Sequence, residues 1–307
     1  MKRTLFLLLF NLICLLGFSQ SNIRLNNYWE NTYYINPASI YSEYQFVVSG
    51  AIQKQWLLFP GAPITGYFTA VEMLNTKKNT QIGHIGLKLF SDKIGFTSLL
   101  SISSSYSYSV RLNKSLLMNL GIAYKIQSFS YDMTKANLAT PNDPATYNNE
   151  TRWLGHNADL GVEFVGRSLL VGVSSQNLMS LFTQGNTLQT NANFLYVMNR
   201  TPLDNTFYVQ SGVCAIQNEN LSQLEFNVST FFSPSNHPNF LQFGMIYRTS
   251  REYGIIFGLD LGNSLRLAYT YDYDFAGIRH SSIGSQEMML TWKFGKLPDC
   301  KCRELFK

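Results

Sequence analysis

Four histidines, His84, His156, His237 and His280, are the side chains best suited to proton transfer near neutral pH. A membrane phospholipase would pair a lipid-facing serine with a histidine on a neighbouring strand, and a surface protease would pair an aspartate with a histidine at a rim. His84 alternates with Ile85 and has many serines within reach, so it reads as a polar lumen or rim residue. His280 follows Asp272 and Asp274 and could imitate a rim dyad, but those two aspartates read better as a charged lumen ladder with Arg266. His156 and His237 fall in expected loops. Cys300 and Cys302, in PDCKCRELFK, have the spacing of a redox or metal pair, yet no other Cys or His cluster completes a metal site, so they read as tail thiols. There is no glycine-rich phosphate loop. The expectation is a protein with no catalytic, cofactor-binding or metal-binding residues and no cofactor, and so not an enzyme.

The elements that carry these residues follow from composition. Only 14% of the 307 residues are charged, against roughly 25% in ordinary soluble domains. Another 14% are aromatic, including 22 Phe and 18 Tyr. Such a chain is neither disordered nor built to bind nucleic acid. The mean hydropathy of −0.06 is too low for a polytopic helical membrane protein. An all-β protein remains.

The chain opens MKRTLFLLLFNLICLLGFSQS. Lys2 and Arg3 precede an apolar stretch, 4–16, too short to span a bilayer, and Gly17 and Ser19 supply small residues before Gln20. This is the pattern of a signal peptide, 1–19, for export. Ile13 before Cys14 argues against lipidation. Removing the leader takes two positive charges from the formal +5, too weak a balance to imply an acidic partner. It also leaves Cys214, Cys300 and Cys302, which do not make a disulfide framework. No run of about twenty apolar residues follows, so a membrane protein of this sequence must be a closed barrel.

The period along the chain is two. Over 96–110, Leu100, Ile102, Tyr106, Tyr108 and Val110 share one face, and Ser101, Ser103, Ser105, Ser107 and Ser109 the other. Over 264–274, Leu265, Leu267, Tyr269, Tyr271 and Tyr273 oppose Arg266, Ala268, Thr270, Asp272 and Asp274. Segments 222–232 and 285–294 repeat the pattern. Small polar residues oppose apolar faces that end in aromatics, whereas a soluble sandwich carries many more Lys and Glu outside. The pattern predicts a single transmembrane antiparallel β-barrel with a polar interior. Strands are expected near 44–54, 64–73, 82–90, 96–110, 115–131, 157–165, 168–175, 193–199, 207–215, 222–232, 240–249, 253–261, 264–274 and 285–294. That is about 14, an even number, as bacterial barrels have.

Even-numbered connections are mostly short and rich in turn residues, and odd-numbered ones (55–63, 132–156, 176–192, 275–284) are longer. Longer loops are expected at the cell surface, which places both ends of the barrel in the periplasm. The domain reading is a leader, an N-terminal segment 20–43, a barrel 44–294 and a periplasmic tail 295–307. Segment 20–43, with Tyr28, Trp29, Tyr33 and Tyr34, is suited to plug the lumen or make a periplasmic contact.

Several patches exceed what a generic barrel requires. They are Asn36-Pro37-Ala38 before the first strand and the apolar loop Gln55-Trp56-Leu57-Leu58-Phe59-Pro60-Gly61-Ala62-Pro63. Next come Asp92-Lys93-Ile94-Gly95, and Asn157-Ala158-Asp159-Leu160-Gly161 followed by Gly172-Val173-Ser174-Ser175-Gln176-Asn177-Leu178. The last are Tyr271-Asp272-Tyr273-Asp274 and Gly284-Ser285-Gln286-Glu287. In this order and spacing, over essentially the mature chain, they resemble the PorP/SprF family of type IX secretion outer-membrane proteins. NPASI and GSQE depart modestly from the pattern NPA-small-Gly and GSHE, and the CKC tail is an addition.

The resemblance implies a non-enzymatic barrel integral to the outer membrane of a Gram-negative bacterium. It implies export or surface attachment of an adhesin-like protein with a C-terminal sorting domain, as in gliding motility, together with the periplasmic secretion ring. Trp56, Leu57, Leu58, Phe59, Pro60 and Pro63 form a stiff apolar patch, the expected partner contact unless they fold over the mouth as a lid. The competing reading is an outer-membrane diffusion channel for solutes or hydrophobic compounds, since about fourteen strands can enclose a channel or a plugged lumen.

Overall fold

A computed structural model describes residues 25–39, 44–75, 81–113, 115–132, 150–182, 189–218, 221–234, 240–275 and 280–296. The expected leader, His237, Cys300 and Cys302 lie outside them.

Fourteen strands close into one antiparallel barrel, each paired with its sequence neighbours and the first with the last. They are β1 (Tyr44–Lys54), β2 (Ile64–Asn75), β3 (Gln81–Ile94), β4 (Thr97–Asn113), β5 (Leu116–Asp132), β6 (Glu150–Val165) and β7 (Leu169–Gln176). The second half comprises β8 (Ala192–Pro202), β9 (Phe207–Asn218), β10 (Leu221–Phe232), β11 (Leu241–Arg248), β12 (Glu252–Leu261), β13 (Leu265–Asp274) and β14 (Ser285–Lys296). The fold expected from the alternation is the fold observed. On β4, Ser101, Ser103, Ser107 and Ser109 are buried while Leu100, Ile102, Tyr106 and Tyr108 are exposed. On β13, Arg266, Thr270 and Asp272 are buried and Tyr269 and Tyr273 exposed. The barrel hides a polar face and presents an apolar one, as lipid requires.

Tyr44 pairs with Lys296, so both ends of the barrel lie on one rim, the terminal rim. The loops after odd-numbered strands form the opposite, far rim.

One expected boundary is corrected. β6 begins at Glu150, not near residue 157, because its first residues pair with the long strand β5 from Asp132 downward. His156, expected in a loop, therefore lies within β6, where its Nδ1 is 2.6 Å from the Tyr124 hydroxyl. On its other side β6 pairs with the eight-residue β7 only from Leu160 to Val165. Residues 150–159 overhang β7.

Candidate functional site

The lumen is occupied by residues 25–39. Asparagines and Pro37 discourage a long helix here, and the segment makes two short 3₁₀ turns, Asn27–Trp29 and Thr32–Tyr34. Leu25, Tyr28, Trp29, Tyr33, Ile35 and Ala38 are all buried against inward-facing strand residues. Tyr28 and Trp29 stack with ring centres 4.9 Å apart. They pack in one cluster with Ile35, Tyr196, Cys214 and Ile256.

Buried polar groups hold the first half. The Glu287 carboxylate accepts from the backbone N–H groups of Asn26 (2.6 Å) and Asn27 (3.0 Å) and from the Asn27 side-chain amide (3.0 Å). Thr270 donates to Asn27 Oδ1 at 2.8 Å. Arg248 donates to Asn26 Oδ1 at 2.8 Å and is ion-paired with Glu225, and with Asp272 and Glu252, each at 3.3 Å. Glu225 also accepts from the Trp29 indole N–H. Arg266 pairs with Glu30 at 3.0 Å and with Asp260. Burial is the strongest single influence on Glu30 and raises its pKa, but Arg266, a hydrogen bond from Gln242 and the charges of Lys293 and Arg200 together outweigh it and hold the carboxyl below its ordinary value.

These contacts correct the expected ladder of Arg266 with Asp272 and Asp274. Arg266 answers the inner segment's Glu30 and the next strand's Asp260, while Asp272 answers Arg248. The reason is that the lumen is packed rather than water-filled, so each buried charge needs a partner in direct reach. Asp272 is thus engaged inside the barrel, while His280 is exposed at the far rim.

The second half rests in a cradle. Gly121 of β5 and Gly161 of β6 face each other across the ladder. A Cβ on Gly121 would overlap the backbone of Pro37 and Ala38, and one on Gly161 would overlap the Asn36 side chain. Only glycines allow so close an approach. Asn36 donates to the Val162 carbonyl (3.2 Å) and the Tyr196 hydroxyl (3.0 Å), and accepts from Ala38 N–H (2.9 Å). His84 Nε2 donates to the Pro37 carbonyl at 3.0 Å. Ser174 donates to Ile35 O at 2.8 Å, and Gln176 to Tyr34 O at 2.9 Å and Ile35 O at 3.0 Å. Asp159 pairs with Lys125 at 2.8 Å and accepts from Asn177 N–H at 2.9 Å. Against the far side of the segment lies a cavity of about 60 Å³, lined by Leu25, Tyr34, Phe90 and Phe194 with Lys88 and Lys125.

The apolar loop sits on the far rim. Leu58 is 78% exposed and Phe59 41%; Trp56 and Leu57 are half-buried, Pro60 is exposed and Pro63 buried. Trp56 meets Phe59 edge-on at 6.2 Å. Trp56 (φ 47°) and Leu58 (φ 72°) occupy the left-handed region, disfavoured for bulky residues. Bonds to neighbouring connections hold them there. Leu57 N–H donates to Gly284 O (2.8 Å), Ile283 N–H to Leu57 O (3.3 Å), Trp56 N–H to Ser285 Oγ (3.1 Å) and Gly95 N–H to Gly61 O (3.2 Å). The structure thus brings the six loop residues together and fixes their backbone against the β3–β4 and β13–β14 connections.

Sequence reasoning singled out Asn36, Asp159, Gly161, Ser174, Gln176, Asp272 and Glu287 as motif residues but not what they hold. It missed Glu225, Arg248, Tyr196 and Gly121. Their inward position in the alternation was the one available signal.

The model of the family described as "Type IX secretion system membrane protein PorP/SprF" matches residues 17–292. The chain belongs to this family. No curated protein sequence matches it. Among solved structures, the CymD monoaromatic hydrocarbon channel matches with a TM-score of 0.53 at 10% identity, covering 91% of this chain and 96% of that one. The Ralstonia pickettii toluene transporter TbuX matches with a TM-score of 0.50 at 9% identity, covering 84% and 92%. The Acinetobacter baumannii outer membrane protein Omp33 follows with 0.49 at 8% identity, covering 82% and 98%. At such identities the likeness is one of fold. Family and fold together make this PorP/SprF chain an outer-membrane barrel of type IX secretion.

Proposed function

We propose that the barrel binds an exported, adhesin-like protein bearing a C-terminal sorting domain and supports its export or surface attachment, with no chemistry of its own. One observation carries the reading. The lumen is filled by a segment pinned through buried charges and a glycine cradle, while the far rim offers a stiffened, exposed apolar loop. Residues 25–39 act as a plug, which weighs against the diffusion-channel alternative. The far rim is the cell surface, where Trp56, Leu57, Leu58, Phe59, Pro60 and Pro63 form the partner contact. The terminal rim and the tail face the periplasmic secretion ring.

The test is the surface proteome of a deletion strain. Growth and small-solute uptake stay near normal, and one or a few sorting-domain proteins vanish from the surface. If all of them are displayed normally and uptake of a solute is lost, the channel reading replaces this one. A variant with His84, His156 and His280 all changed to Ala, if it assembles, displays the same proteins as the parent. Failure of display with an intact barrel reopens the enzyme alternative.

A further inference from the structure

From the overhang of β6 we infer that the exported partner docks by adding an extended strand to the free edge of residues 150–156. This inference rests on the partner-binding reading above. Among the described residues no strand pairs with β6 on its β7 side before Leu160. The lower part of the overhang is covered, because Asn157 Oδ1 accepts from Met179 N–H (3.0 Å) and Asp159 from Asn177 N–H. Residues 150–156 are left, a strand edge of about 20 Å at 3.3–3.4 Å per residue. Alternate backbone N–H and C=O groups along it point away from β5, with no strand among the described residues to receive them.

The upper part of the edge, from Arg152 to Leu154, stands beyond the apolar belt. Outward residues of β5 run Leu120, Ile122, Tyr124 and Ile126, all exposed, and then turn polar at Ser128 and Ser130. Those serines lie opposite Leu154 and Arg152, so this part of β6 is in water. An open edge within hydrocarbon would not be tolerated, whereas in water it is a template for another strand.

The chemistry around the edge defines the occupant. On the inner face Trp153 packs on Phe129 with ring centres 5.5 Å apart, and Trp153 is 47% exposed. Just past β7, Leu181 and Phe182 project into solvent. On the outer face stand Arg152, Leu154 and His156, all exposed. The fitting segment is an extended peptide with apolar side chains on the face toward Trp153. On the other face it carries an acidic side chain for Arg152. Main-chain bonds supply the affinity in this mode and the alternating side chains the selectivity.

The test places a photo-crosslinking benzoylphenylalanine, one position at a time, at Arg152, Leu154, His156 and Leu58 in the full-length protein in its own cells. Phe257, on the lipid face of a distant strand, serves as control. Strand addition gives adducts from 152, 154 and 156 that step by two residues along one segment of a sorting-domain protein. Arg152→Glu lowers the yield at 154 about fivefold, as an exposed ion pair of ~1 kcal/mol gives. Adducts confined to Leu58 overturn the edge while leaving the partner reading in place. Adducts to residues 133–149 or 183–188 of the same chain, or to a second copy, show the edge already occupied and overturn the proposal. Adducts at none of the positions, with normal surface display in the deletion strain, overturn the partner reading itself.

Discussion

The inner segment and the far-rim loop are both rich in aromatic residues and both contain proline, yet the barrel treats them in opposite ways. Residues 25–39 turn their aromatic rings into the wall and place their backbone against Glu287, His84 and the Gly121–Gly161 pair. The loop spends its hydrogen bonds on backbone and leaves Leu58 and Phe59 in the open. The inner segment is buried or half-buried along its whole length and has little surface left to offer. The loop is rigid in its main chain and unsatisfied in its side chains, which is the preorganised state that a docking surface needs. Aromatic content alone distinguishes neither role; where the polar contacts go does.

Substitutions that break this contrast are expected to act in a graded way. The largest effect belongs to Arg248→Met. Losing the guanidinium strands Glu225 and frees Asn26, and removing one partner of a buried pair costs about 3–5 kcal/mol. The heat-modified gel shift of the assembled barrel should weaken accordingly. Next is Leu267→Arg on the outward face of β13. It should cost about 2–4 kcal/mol near the bilayer midplane, read from denaturant unfolding in lipid. Gly161→Ala should cost about 1–3 kcal/mol by overpacking the cradle. Its particular sign is faster proteolysis of residues 25–39 while the strands stay protected.

The inner segment should also respond to acid. The folded-state pKa of Glu30 lies below its unfolded value near 4.3, so its pairing with Arg266 stabilises above that value and is lost as pH falls through the folded pKa. Trp29 fluorescence should therefore show a step at the acid end of the titration, below about pH 4. Glu30→Gln should flatten that step. The smallest effect on stability is at the rim. Trp56→Ser with Phe59→Ser should stay within roughly 1 kcal/mol of the parent, as two surface changes do, while recovery of the partner in a pull-down falls. Unchanged recovery with a clear loss of stability would make the loop a structural lid.

The barrel was legible in the sequence because a period of two is a direct imprint of a wall with lipid on one side. Ser101 to Ser109 and Leu100 to Tyr108 fall on the expected faces without exception apart from the outward Ser104. The start of β6 was not legible. Arg152, Trp153 and Leu154 are exposed in succession, so no period of two marks this stretch. The site was half legible. The motif residues Asn36, Gly161, Ser174 and Glu287 stand out in the sequence, but their meeting depends on the curvature of a closed barrel, which brings β6, β7 and β14 around one short segment. The pairing of Arg266 with Glu30 spans 236 positions, and no local pattern encodes it.

The central claim is that this barrel is a closed holder and not a pore. Planar-bilayer conductance of the purified protein tests it most directly, alongside a variant lacking residues 25–39. The account predicts near-zero conductance for the intact protein and steady open channels once the segment is removed. A steady open conductance in the intact protein would contradict it.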